Sequence, residues 1–177
     1  MNRYSDELLT ELPRRGRPSR YRTSVLVVVA LAAILFQVYV PLFFEYLSYL
    51  ELPLLVTVYF SLMKRSPVSG TFIGCAIGLA QDSLSHHPIG MLGIVKSLVG
   101  YFSASVSLRF DVDNPLVRMI LAFFFFFFHQ FFHWVLMRAL LGQEINFDFE
   151  QTLLFGLFNA IVALPLFHIF DRMRSTG

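Results

Sequence analysis

Apolar residues in this chain gather into runs long enough to cross a bilayer. Runs at 23–44, 68–84, 89–108, 115–140 and 152–170 approach the ~20 residues that a helix needs to traverse ~30 Å of hydrocarbon. A weaker run lies at 50–63, where Pro53 suits a first helical turn because its missing N–H costs nothing there. Glu51 before that run and Lys64-Arg65 after it keep it short. Counting it as a span, the pattern predicts an all-α integral membrane protein, a bundle of six transmembrane helices over 23–174 preceded by a segment, 1–22, of different character.

Composition agrees with that pattern. The 177 residues are 56% hydrophobic and 15% charged, and the mean hydropathy is +0.63. A soluble domain is nearer ~45–50% apolar. The single cysteine, Cys75, excludes a disulfide framework and a C-x-x-C redox pair and reads as a small packing residue.

Charge then sets an orientation. With six crossings, Arg3, Arg14, Arg15, Arg17, Arg20, Arg22, Lys64, Arg65, Arg109, Arg118, Arg172 and Arg174 fall on one side, and Arg138 alone on the other. The positive-inside rule puts both termini in the cytoplasm, and removing the short second span would scramble the pattern. Residues 1–22 are Arg-rich and interrupted by Pro13, Gly16 and Pro18, so they read as a cytoplasmic arm that anchors topology and can touch anionic lipid headgroups. Ala30-Leu31-Ala32 has the form of a signal-peptide cleavage site, but the apolar run continues through it for a full membrane thickness.

Few polar residues lie within the spans, where a central charge costs about 2.5–3.5 kcal/mol on insertion scales. Asp82 lies a turn from the outer end of the third helix, and Lys96 about two turns down the fourth; a lysine stem is long enough for the two to pair across the "SHHP" hairpin. With His86, His129 and His133 they outline an outward-facing polar pocket. An aspartic dyad is excluded because the other candidates, Asp111 and Asp113, belong to an inner loop. Ser69 in "VSG" lies at the inner end of its helix, away from every histidine of the outer half, so no serine triad forms. His129 and His133, four apart beside Gln130, share a helical face as metal ligands do, yet interhelical hydrogen bonding is the simpler reading. The run 123–128, all phenylalanine, is lipid-facing and core-filling, not a stacking platform for nucleic acid, and a Phe125→Leu change is expected to be nearly silent. Trp134 marks the outer interface. No cofactor motif is present.

Gly70, Gly74 and Gly78 recur every four residues and so stack on one face, which lets another backbone approach closely. Helix four repeats the device with Gly90, Gly93, Ser97 and Gly100, and helix six with Gly156, Asn159, Ala160 and Ala163. These faces are expected to pack helices or to receive a partner.

The order G-x-x-x-G-x-x-x-D-x-x-x-x-x-P-x-G, carried by Gly74, Gly78, Asp82, Pro88 and Gly90, precedes "SLVGY" and a closing "FNAIVALPLFHIFDRMR". Together they resemble the rod shape-determining membrane protein MreD family over about 23–174. The resemblance implies a fold like that of the substrate-binding subunits of energy-coupling-factor vitamin transporters. It also implies a non-enzymatic subunit of the bacterial inner-membrane elongation machinery, working in peptidoglycan synthesis beside a bitopic MreC-like scaffold and, through it, a SEDS-type glycosyltransferase and its transpeptidase. The alternative is a small-molecule or vitamin-binding subunit of a transporter, with a ligand in the polar pocket.

Overall fold

The computed structural model describes residues 23–85 and 88–173, and within them every regular element is helical. Six α-helices follow in order: α1 Thr23–Tyr39, α2 Leu52–Lys64, α3 Pro67–Leu84, α4 Met91–Val106, α5 Pro115–Leu141 and α6 Phe149–Arg172. Two 3-10 segments, Val40–Leu42 and Glu45–Tyr49, join α1 to α2. Local chemistry sets the boundaries. Ser66, Asn114 and Asp148 cap the N-termini of α3, α5 and α6 with side-chain oxygens, and Pro67 and Pro115 stand in the first turns behind two of them. Gly142 ends α5 in the left-handed conformation at φ 61°.

Among the described residues, four stretches are long and apolar enough to cross a membrane: Thr23–Leu42, Tyr46–Lys64, Pro115–Leu141 and Phe149–Arg172. The chain is a multi-pass membrane protein. The other two helices fall short for a structural reason. Helix α3 carries its glycines and polar residues on an inward face, where Gly70, Gly74, Gly78, Gln81 and Asp82 are buried, and α4, with 16 residues, packs along that same face.

The weak second run is the centre of the bundle. Every residue from Pro53 to Met63 is buried, and α2 contacts each of the other five helices. Helix α2 is thus solvated by protein, which removes the need for the long apolar exterior that lipid demands of α1, α5 and α6. Tyr59, Phe60, Phe167 and Phe170 interlock at its C-terminal half, with ring centroids 5.1 to 6.0 Å apart.

The phenylalanine run divides differently from its sequence reading. Phe124 is 55% exposed, but Phe125 and Phe126 are enclosed in the core. The expectation that Phe125 is a lipid-facing, replaceable residue is therefore corrected. Helix rotation of ~100° per residue must bury part of any six-residue run on a helix that touches its neighbours, and a run of one residue type carries no contrast to say which part.

Candidate functional site

Four elements bring a chain of polar side chains together at the end of the bundle where α1 joins α2 and α5 joins α6. Glu51 precedes α2; its backbone N–H donates to Asn159 Oδ1 on α6 at 2.9 Å. The Asn159 amide donates in turn to the carbonyls of Tyr49 (2.8 Å) and Phe155 (2.9 Å), so this buried residue ties the connection before α2 to α6. The Glu51 carboxylate lies 3.8 Å from the ammonium of Lys96, which is wholly buried on α4. The same ammonium is 3.4 Å from Nε2 of buried His129 on α5. The rings of His129 and His133 stack at 6.2 Å and 10°.

Lys96 is thus held by Glu51 and His129, not by a direct ion pair with Asp82 as its sequence position suggests. Asp82 has a different task. One of its oxygens accepts from the backbone N–H groups of Gly90 (2.9 Å) and Gly93 (3.1 Å), and the other from Leu92 (3.3 Å). The first N–H groups of a helix have no intrahelical partner and carry the positive end of its dipole. A carboxylate projecting from α3 therefore caps α4 across the hairpin, and Gly90, at φ +99°, lets the chain turn into that position. His86 and His87 lie outside the described residues, as do 1–22.

The glycines meet backbone. A Cβ on Gly74 would overlap the carbonyl of Lys96, one on Gly78 the carbonyl of Leu92, and Gly70 and Gly100 each face the other's carbonyl. A Cβ on Gly93 comes up against the Leu79 side chain, at 2.8 Å, with the Leu79 backbone N at an ordinary 3.7 Å, and one on Gly90 meets nothing within 4 Å. The faces of Gly70, Gly74, Gly78 and Gly100 are turned on each other within the chain, while Gly90 serves conformation and not packing.

At the opposite end of the bundle a second polar group escaped sequence reasoning, which counted Arg118 only as a topological charge. Arg118 is buried on α5: its Nε donates to the Val112 carbonyl, one terminal nitrogen pairs with Asp171 on α6, and the other lies 3.6 Å from Asp113. The Tyr59 hydroxyl donates to the other Asp171 oxygen at 2.8 Å, so α2, α5 and α6 are pinned through one carboxylate. Glu51 was missed because a charge at the edge of an apolar run reads as a boundary. The signal available was its position at the same end of the bundle as Lys96, as a second carboxylate within reach of that long side chain.

Beyond His133 the polar chain opens into a pocket of about 320 Å³ between the α1–α2 connection, the C-terminal half of α5 and the start of α6. Glu51, Gln130, His133 and Trp134 line it, Lys96 and His129 lie behind it, and Asp82 is not part of its wall. The Trp134 indole N–H donates to the Ile145 carbonyl at 2.7 Å and fixes the α5–α6 loop. Among the described residues, no group of three or more His, Cys, Asp or Glu side chains is placed to hold a metal ion.

Searches of curated proteins and of solved structures returned no match to the chain. The family model described as rod shape-determining protein MreD matches residues 19–174. That span takes in every described helix and the glycine–aspartate hairpin, and so the chain belongs to the MreD family, whose members take part in determining rod shape.

Proposed function

We propose that this protein is a non-enzymatic inner-membrane subunit of the bacterial elongation complex. It binds an MreC-like bitopic scaffold and, through it, a SEDS glycosyltransferase and a transpeptidase during lateral peptidoglycan synthesis. The observation that carries the reading, beside family membership, is where its polar chemistry is spent. The Asp82 cap and the Arg118–Asp171–Tyr59 junction hold helices to one another, while large apolar side chains face outward along α1, α5 and α6. The connections between described helices are short, so partners are met through helices in the bilayer and through these connections. The α1–α2 connection offers such a surface, with Leu42, Phe43, Phe44 and Tyr46 all exposed.

In this reading both termini are cytoplasmic, the arm 1–22 anchors that orientation against anionic lipid, and the bundle is akin in fold to the energy-coupling-factor substrate-binding subunits. Affinity purification of the full chain in mild detergent, with identification of the membrane proteins that accompany it, is the test. A bitopic coiled-coil protein with wall-synthesis enzymes is the expected company. Transporter ATPases in their place, with normal rod shape after deletion, would overturn it.

A further inference from the structure

The outer pocket has a lining whose chemistry selects a ligand. Among the described residues, no lysine or arginine side chain faces it. Of its two carboxylates, Glu51 is answered by Lys96 behind it, and Asp148 is engaged as the N-cap of α6. The wall thus offers no free positive charge to an anion, and its one carboxylate without a cationic partner, Asp148, is occupied in accepting from the Gln151 backbone N–H. It does offer the side-chain amides of Gln130, Asn146 and Gln151, none of which hydrogen-bonds another described residue, and each presents both a donor and an acceptor. Aromatic surface from Tyr49 and Trp134 stands beside them. At about 320 Å³ the space lies at the lower end of the ~300–1,000 Å³ found for small-ligand pockets.

We propose that this pocket binds an uncharged group bearing hydroxyls and amides, of the kind and size of a single sugar headgroup. Hydroxyls donate to the carboxylate and amide oxygens and accept from the amide N–H groups, so such a ligand satisfies both halves of each glutamine at once. A phosphate, anionic at neutral pH, faces Glu51 and Asp148 with no described cation in the wall to answer it, and a quaternary ammonium centre neither donates to nor accepts from the amides. The assignment does not depend on which protein partners the bundle has.

The chain carries its own reporter, because Trp134 is the single tryptophan and lines the pocket. The full-length protein is purified in an amine-oxide detergent, whose headgroup contains no sugar, and Trp134 emission is followed during titration. The probes are N-acetylglucosamine, an alkyl N-acetylglucosaminide below its micellar concentration, choline and inorganic phosphate. The expected result is a saturable change with one or both sugar probes, weakened tenfold or more by Gln130→Ala and by Gln151→Ala. Both variants should melt with the wild type, since neither side chain holds another residue. Tighter binding of the alkyl form identifies a lipid headgroup as the source, and equal binding a soluble molecule. Preference for choline or phosphate, no saturable response to either sugar probe, or unchanged affinity in both glutamine variants would overturn the assignment.

Discussion

Asp82 is 1% exposed, and the groups that answer its charge are backbone N–H donors at the start of α4. Asp82→Ala leaves three N–H groups without an acceptor, each costing about 1–3 kcal/mol where water is excluded. Asp82→Asn keeps one oxygen and should fall between Ala and wild type in melting temperature measured in detergent. Full tolerance of the alanine change would contradict the capping role. Lys96 and Glu51 behave as a pair. Removing Glu51 leaves the wholly buried Lys96 ammonium uncompensated, at a cost of up to about 3–5 kcal/mol, while removing Lys96 leaves a carboxylate that is 18% exposed and costs less. Lys96→Met and Glu51→Gln should each lower the melting temperature, the second by more, and the double variant should lose less than the sum, with a coupling of about 0.5–3 kcal/mol. Strict additivity would show that the two do not interact. Sequence depth alone made Asp82 and Lys96 neighbours, and both do lie near the α3–α4 hairpin. What it could not tell is where a long, flexible lysine stem turns, because the stem reaches either carboxylate and the choice is made by His129 and Glu51 arriving from helices distant in the chain.

At the level of elements, helix existence and order were legible throughout, while facing was legible only where small residues mark it. Bilayer and protein interior are both apolar, so a buried leucine and a lipid-facing one look alike in sequence. That is why the centrality of α2 and the burial of Phe125 were invisible, whereas the glycine face of α3 was plain. The same asymmetry ranks substitutions. In Gly74→Ala the new methyl strikes the Lys96 backbone, which moves only if α3 and α4 part, so folded protein should be largely lost. In Gly93→Ala the obstacle is the Leu79 side chain, which can change rotamer, so the loss should be small. Phe125→Ala opens a core cavity and should cost about 3–5 kcal/mol, while Phe124→Leu, on the exposed face, should be near neutral. Folded yield by fluorescence-detected size exclusion, run on all four variants, orders them. Gly74→Ala as well tolerated as Phe124→Leu would refute the close α3–α4 contact.

For the whole molecule, two independent constraints meet in α2. Arg and Lys gather on one side of the membrane only if residues 52–64 cross it, because omitting that crossing moves every later charge to the opposite side. The packing makes a separate demand. Glu51, at the start of α2, reaches Lys96 at one end of the bundle, and Tyr59, nearer its other end, reaches Asp171 on α6 beside Arg118. A helix of 13 residues spans about 20 Å at 1.5 Å per residue, less than the ~30 Å of hydrocarbon. The residues just outside it must therefore be satisfied by protein, as the Glu51 N–H is by Asn159. Reporter fusions test the proposed orientation and the α2 crossing together. Alkaline phosphatase, active only outside the cytoplasm, should be silent when fused after Gly177 and active when fused within the α5–α6 loop after Asn146. Fusion after Arg65 should be silent as well, because it reports the α2 crossing directly. Activity after Arg65 together with silence after Asn146 would place α2 on one side of the membrane and invert everything that follows it. That outcome would also separate Glu51 from Lys96 by the thickness of the bilayer, so the topology and the ion pair stand or fall in the same measurement.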